Sequence, residues 1–297
     1  MQAFVISSSR RFVTLYQEDG SSIQAKTSAK TLEIAVGDRV EYEARDGDNF
    51  ITKILDRNNQ LTRGYRGELK IMAANLDCIL IVTAVGSSFN PLFVDKVLTF
   101  AFCHDIPAVL VINKIDQGLE QTSSQLKLYQ DLGFKVFCIS AKFGNEVEQV
   151  EGFLADKNLK VVALVGISGV GKSTLLNRLV PDARTRTQET NERTGLGRQT
   201  TTQALAHPYY RADNSLMFLV DLPGLQSFGV GHLNQELIAE SFPEINRIQS
   251  QCEFSNCSHI KEKVCAVQLA VNEGLIEASR YQSYQKMIEE IAAERKY

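Results

Sequence analysis

Residues Val161 to Leu176 read VVALVGISGVGKSTLL, and this stretch decides the fold. Its first five residues are apolar and mostly β-branched, the composition of a strand buried on both faces. A glycine-rich turn follows, and the spacing predicts a helix from Lys172–Ser173 onward. Gly166, Gly171, Lys172 and Ser173 satisfy G-x-x-x-x-G-K-[ST], the pattern of a loop that cradles phosphate. Gly166, Gly169 and Gly171 let the backbone turn so that successive N–H groups face an anion. The helix N-terminus adds partial positive charge. Lys172 is placed to reach the β- and γ-phosphates, and the Ser173 hydroxyl to ligate Mg²⁺. The expected triphosphate contacts are therefore Gly166, Ile167, Ser168, Gly169, Val170, Gly171, Lys172, Ser173 and Thr174.

Upstream, two apolar segments, 75–84 and 107–113, read as buried parallel strands with helical patterning between them. The second runs into Asn113-Lys114-Ile115-Asp116, the N-K-x-D tetrapeptide that reads guanine. The Asp116 carboxylate accepts from the ring N–H and the exocyclic amine of guanine, and adenine would leave it unpaired at a cost. Asn113 is expected to tie neighbouring loops together and the Lys114 stem to cover the base. A strand at 135–139 leads to Ser140-Ala141-Lys142, whose backbone N–H groups suit the guanine oxygen. N-K-x-D or S-A-K alone is a weak signal. Together with the phosphate loop, each after a strand, they specify GTP.

Downstream, residues 181–203 carry Arg184, Arg186, Arg193 and Arg198 without apolar periodicity, a length that marks a functional segment. It ends at Gly197-Arg198-Gln199-Thr200-Thr201-Thr202. One threonine is expected to bind Mg²⁺ and sense the γ-phosphate; Thr201 is favoured, and Thr200 and Thr202 remain alternatives. A further strand (215–220) ends in Asp221-Leu222-Pro223-Gly224, a D-x-x-G in which Asp221 serves the Mg²⁺ shell and Gly224 the γ-phosphate. Leu225, next in the chain, cannot hydrogen-bond a water. The nearest polar candidates are Gln226 and Gln199, so unassisted hydrolysis is expected to be slow. The order of these parts is N-K-x-D, S-A-K, phosphate loop, threonines, D-x-x-G. This is a circular permutation of the common order, and it leaves both nucleotide-sensing segments next to the C-terminal region.

Two flanking regions complete the expected organisation. Residues 1–66 show short alternating runs punctuated by Asp19-Gly20, Gly37-Asp38 and Asp46-Gly47, a pattern of a small β-barrel. An OB-type barrel is the first reading and an SH3-like barrel also fits. Arg57, Arg63, Arg66 and Lys70 are candidate phosphate contacts or, equally, solvated charges. Residues 67–230 form the permuted GTPase domain, α/β with a mostly parallel sheet. Residues 231–297 read as helical, with amphipathic stretches at 233–242 and 275–293. Within them Cys252, Cys257, His259 and Cys265 form C-x₄-C-x-H-x₅-C, three thiolates and an imidazole that suit one closed structural zinc site. A redox pair with a spare thiol is the rival reading. Arg280, Lys286, Arg295 and Lys296 are candidates for RNA contact or for a solvated helix face.

The chain of 297 residues has a net charge of −3, so any nucleic-acid surface must be a local patch. No apolar run is long enough for a secretory signal or a membrane span, which points to the cytoplasm and against disulfides. Cys78, Cys103 and Cys138 read as small core residues.

On Asn113–Asp116, Gly166–Thr174, Gly197–Thr202, Asp221–Gly224 and the Cys/His set, the chain resembles the circularly permuted ribosome-assembly GTPases of the RsgA (YjeQ) type. The resemblance covers essentially the whole length. It implies an OB-fold N-terminal domain and binding to the small (30S) ribosomal subunit and its 16S rRNA late in maturation. GTP would be hydrolysed to GDP and phosphate under stimulation by that subunit; the structural zinc and Mg²⁺ are expected from the motifs themselves, and the chain is expected to be a monomer. Two departures stand out. Gln199 occupies the place of the family's water-positioning histidine, so it is carried as the catalytic candidate beside Lys172 and Thr201, and Leu222 replaces a common threonine. Alternative readings are a nucleotide-gated RNA-binding module and a permuted GTPase acting on the large subunit.

Overall fold

The computed structural model describes residues 1–9, 12–27, 33–65, 68–181, 204–222 and 230–294. Five strands open the chain: β1 (Gln2–Ser8), β2 (Val13–Tyr16), β3 (Ser22–Thr27), β4 (Arg39–Arg45) and β5 (Asp48–Ile54). They pair in the order β1-β2-β3-β5-β4, and β4 returns to β1, which closes the sheet into a barrel. Inward positions carry Val5, Val13, Leu15, Ala25, Val40, Tyr42 and Ile51, all buried. This is the N-terminal barrel expected of an OB-type domain. A separate hairpin follows, β6 (Gln60–Tyr65) with β7 (Glu68–Ala74), so the expected boundary after residue 66 lies between its two strands.

The central sheet is built from β8 (Cys78–Ala84), β9 (Ala108–Asn113), β10 (Val136–Cys138), β11 (Val161–Val165), β12 (Leu205–Tyr210) and β13 (Leu216–Asp221). In the order β10-β9-β8-β11-β13 all neighbours are parallel, and β12 flanks β13 antiparallel. The alternation of side chains explains why these strands are apolar throughout. Leu80, Val82, Val111, Val162 and Leu164 face helices α3 (Val147–Leu154) and α4 (Lys172–Leu179) through Val150, Leu154, Leu175 and Leu179. Ile79, Ile81, Leu110, Ala163 and Val165 face the opposite layer, which includes α1 (Pro91–Cys103) and Tyr129 of α2 (Ser123–Asp131).

Barrel and sheet are continuous. Ser7 of β1 pairs with Leu205 of β12, Phe4 stacks on Phe218 with ring centroids 3.9 Å apart, and the Tyr16 and Tyr210 hydroxyls lie 2.7 Å apart. Arg57, a candidate phosphate contact, is instead committed to the fold. Its guanidinium donates to both oxygens of the fully buried Asp38 at 2.7 and 2.8 Å and to the Glu33 carbonyl.

The C-terminal helices are α5 (Gln235–Glu240), α6 (Pro243–Asn246), α7 (Ala266–Asn272) and α8 (Ala278–Glu294). They pack on α1 rather than on the sheet edge. Thr99 and Ser241 share a hydrogen bond at 2.8 Å; Glu290 pairs with Lys96 and accepts the Val230 N–H at 3.3 Å. Arg280 is 1% exposed and Asp95 0%, which removes Arg280 from the candidate RNA contacts. Its guanidinium donates to Glu244 at 2.7 and 3.3 Å and to Asp95, and lies 4.3 Å from the Phe242 ring centroid. The Tyr129 hydroxyl donates to the same Asp95 at 2.6 Å. Burial raises the Asp95 carboxyl above its ordinary range, against the pull of Arg280. Burial also opposes charge on Arg280, but the two carboxylates outweigh it and hold the guanidinium ionised. Among the described residues, no helix is long and apolar enough to cross a membrane.

Candidate nucleotide site and metal centre

Asn113 ends β9, Asp221 ends β13, and Gly166 and Ser140 follow β11 and β10 closely, so all four lie at the carboxyl ends of parallel strands. Open α/β sheets place ligands at this edge. Asn113 is the hub. Its amide nitrogen donates to the Val170 carbonyl at 2.8 Å and its oxygen accepts the Ala141 N–H at 2.9 Å. One buried carboxamide thus joins three segments that are far apart in sequence: N-K-x-D, S-A-K and the phosphate loop. The loop accommodates it because Gly171 has φ +93° and no side chain; a Cβ there would stand 2.2 Å from the Asn113 amide nitrogen.

Around this hub the remaining groups converge. Lys114 adopts a left-handed backbone (φ +64°), unusual for a residue with a Cβ. The buried Ser140 hydroxyl donates to Asp116 at 2.5 Å and fixes the carboxylate's orientation. The Lys142 ammonium sits 4.9 Å from the ring centroid of the exposed Phe143. Lys172 forms an ion pair with Asp221, both side chains largely shielded, while Ser173 and Thr174 are exposed in the first turn of α4. Leu222 is buried and packs into the core. Gly224, Gln199 and Thr200–Thr202 lie outside the described residues.

Sequence reasoning missed Arg178. It sits in the last turn of α4 and donates to the carbonyls of Ala141 (2.8 Å) and Lys142 (3.1 Å). The available signal was a cation at a helix C-terminus, a position normally explained by the helix dipole.

The second cluster lies between α6 and α7. Cys252, Cys257, His259 and Cys265 place their ligand atoms within 4.8 Å of one another. The Cys252 and Cys265 sulfurs are 3.9 Å apart, and each is 3.5 Å from His259 Nδ1. Tetrahedral bonds of about 2.3 Å to sulfur and 2.0–2.1 Å to nitrogen require ligand separations of roughly 3.5–3.8 Å; Cys252, Cys265 and His259 stand at about that spacing with Cys257 within 4.8 Å, a donor set compatible with one zinc ion. The fit also satisfies the thiols: burial, reinforced by the neighbouring cysteines, pushes Cys257 up to about 12, and a bound cation supplies the charge that reverses this. Burial likewise lowers His259 and keeps the imidazole neutral, as a ligand must be. The supporting groups are in place. Tyr281 donates to the His259 carbonyl at 2.6 Å and Tyr284 to the Ser258 carbonyl at 2.9 Å. Glu262 accepts from the Ser258 N–H and hydroxyl and from the N–H groups of Ile260 and Lys261. These bonds overcome the effect of burial and hold its carboxyl at about 2.

Comparison with known proteins bears on both clusters. Residues 54–231 match the family described as RsgA GTPase. A small ribosomal subunit biogenesis GTPase RsgA from Paraburkholderia phymatum is 35% identical over 294 residues, which cover 98% of this chain and 92% of the relative. The crystal structure of YjeQ from Thermotoga maritima superposes with a TM-score of 0.73 at 31% identity, covering 98% of both chains. YloQ, described as a circularly permuted GTPase, shares the fold with a TM-score of 0.69 at 24% identity. A barrel, a nucleotide edge assembled in permuted order and a Cys/His helical end thus coincide with similarity along nearly the whole chain, which belongs to the RsgA GTPase family.

Proposed function

We propose that this GTPase acts on the small ribosomal subunit during its late maturation, hydrolysing GTP to GDP and phosphate at a rate set by the subunit. The observation that carries the reading is the Asn113 carboxamide, which joins the guanine-reading and phosphate-binding segments into one edge. In this reading Asp116 pairs with guanine, and Lys114 and Lys142 flank the base. The Ser140-Ala141-Lys142 turn meets its oxygen through the Lys142 N–H, because the N–H groups of Ser140 and Ala141 already donate to the Asn145 carbonyl and to Asn113; residues 166–174 hold the phosphates. Mg²⁺ would be held by Ser173 and Thr201, with Asp221 in its outer shell, and would neutralise charge between the β- and γ-phosphates. Lys172 stabilises charge on the transferred group, Gly224 donates to the γ-phosphate, and Gln199 orients the attacking water in place of a histidine.

The four-residue Cys/His set holds one zinc as a structural staple, with no position left for a catalytic water. Barrel and C-terminal helices supply the contacts to 16S rRNA, and the chain works in the cytoplasm as a monomer. The test is the GTPase rate with and without purified 30S subunits. Stimulation of several hundredfold is expected; a thousandfold corresponds to about 4 kcal/mol of barrier. A fast partner-free rate that 30S particles leave unchanged would overturn the proposal, as would stimulation by 50S particles alone.

A further inference from the structure

We propose that Arg178 is a specificity-positioning residue: from the end of the phosphate-loop helix it fixes the carbonyls of Ala141 and Lys142, so that the opposite, N–H faces of this loop are presented to the guanine oxygen. The inference rests on the nucleotide reading above and extends it to a residue outside the GTP-binding motifs.

The geometry is specific. Nε donates to the Ala141 carbonyl at 2.8 Å and one terminal nitrogen to the Lys142 carbonyl at 3.1 Å, so a single planar guanidinium spans two consecutive peptide units. Asn113 holds the N–H of Ala141, so that residue is gripped on both its N–H and its C=O. The loop is shaped to admit the guanidinium. Gly144 has φ +87°, and a Cβ at that position would stand 2.7 Å from the nearer terminal nitrogen of Arg178. Ser140 closes the same loop by accepting the Gly144 N–H at 2.7 Å. An arginine serving only the dipole of its own helix would turn to that helix's last carbonyls. Arg178 crosses to another segment instead. The phosphate helix and the base-sensing loop are therefore tied at two points, by Asn113 near its start and by Arg178 at its end. A charge-assisted pair of bonds stiffens these two peptide units beyond the Ser140–Gly144 closure, and preorganised N–H groups bind an oxygen acceptor better than mobile ones.

The test uses the full-length chain and three diphosphates: GDP, 6-thio-GDP, whose sulfur is a poor acceptor in place of the oxygen, and IDP, which lacks the amine read by Asp116. The wild type should bind GDP more tightly than either analogue. Arg178→Ala should weaken GDP about tenfold and 6-thio-GDP less than twofold, with the ratio of IDP to GDP affinity unchanged. Arg178→Lys keeps charge and stem but not the fork, and should fall between the two; it also carries the comparison if Arg178→Ala does not fold. Equal weakening of GDP and 6-thio-GDP, or full rescue by lysine, would overturn the proposal. A wild type indifferent to all three bases would overturn the guanine reading itself, a distinguishable failure.

Discussion

Replacing Arg280 by methionine keeps most of the side-chain volume and removes the charge, and its cost can be worked from the structure. Two hydrogen bonds to Glu244 and one to Asp95 disappear, as does the cation–π contact with Phe242. The larger effect is what stays behind: two buried acids, Asp95 and Glu244, 0% and 7% exposed, that without a cation must stay charged and unpaired or take up a proton, which burial already favours at Asp95. Breaking a buried pair from one side costs about 3–5 kcal/mol. That is a fifth or more of the roughly 5–15 kcal/mol that typically holds a protein folded. The expected result is a loss of about 3–5 kcal/mol in urea unfolding followed by far-UV circular dichroism, at fixed zinc concentration and pH 7. The combination Asp95→Asn, Glu244→Gln, Arg280→Met removes the stranded charges and should recover about half of it. A single variant that loses less than about 1 kcal/mol, or a triple variant as unstable as the single, would refute the argument that uncompensated charge governs this interface.

Three further outcomes are expected. Asn113→Ala leaves the Val170 carbonyl and Ala141 N–H without their partner, at about 1–3 kcal/mol each, so GDP affinity measured by calorimetry should drop by at least tenfold. Elemental analysis should find one zinc per chain, and Cys265→Ser or a strong chelator should remove it and lower the melting temperature of the C-terminal helices. Burial lowers the His104 imidazole, which is bonded to the Phe100 carbonyl at 2.8 Å and to the Thr62 hydroxyl at 3.2 Å. The unfolded chain then takes up the proton first, so stability is complete above about pH 6.5 and declines as pH falls below it. The difference in urea midpoint between wild type and His104→Asn should shrink from pH 7.5 to pH 5.5, and a constant difference would rule the linkage out.

The elements legible in the sequence were those whose burial leaves one composition open. β8, β9, β11 and β13 are apolar along their length because both faces are covered, and their ends coincide with the nucleotide motifs. The Cys/His set was legible because its four members lie within fourteen residues, so local chain geometry alone brings them together. β3 was not, because Ala25 is its one buried residue and the rest of SIQAKT reads as loop. The hairpin β6–β7 was missed for a similar reason, since it forms its own two-stranded sheet with charged residues along it. Arg57, Arg178 and Arg280 share a different difficulty. A basic side chain on an element suggests solvent, and only the partner decides: Asp38, the Ala141 and Lys142 carbonyls, and the Asp95–Glu244 pair all come from segments distant in sequence.

The strand β12 belongs to two bodies at once, as outer neighbour of β13 and as the anchor of β1. Only Gln203 and Ala204 separate Thr202 from Leu205, where that anchorage is made. A β-ladder does not slide gradually, because a shift of one residue turns every side chain to the wrong face. The join at Ser7 and Leu205 is therefore all or none, and together with the stacking of Phe4 on Phe218 it holds the barrel and the GTPase sheet in one register.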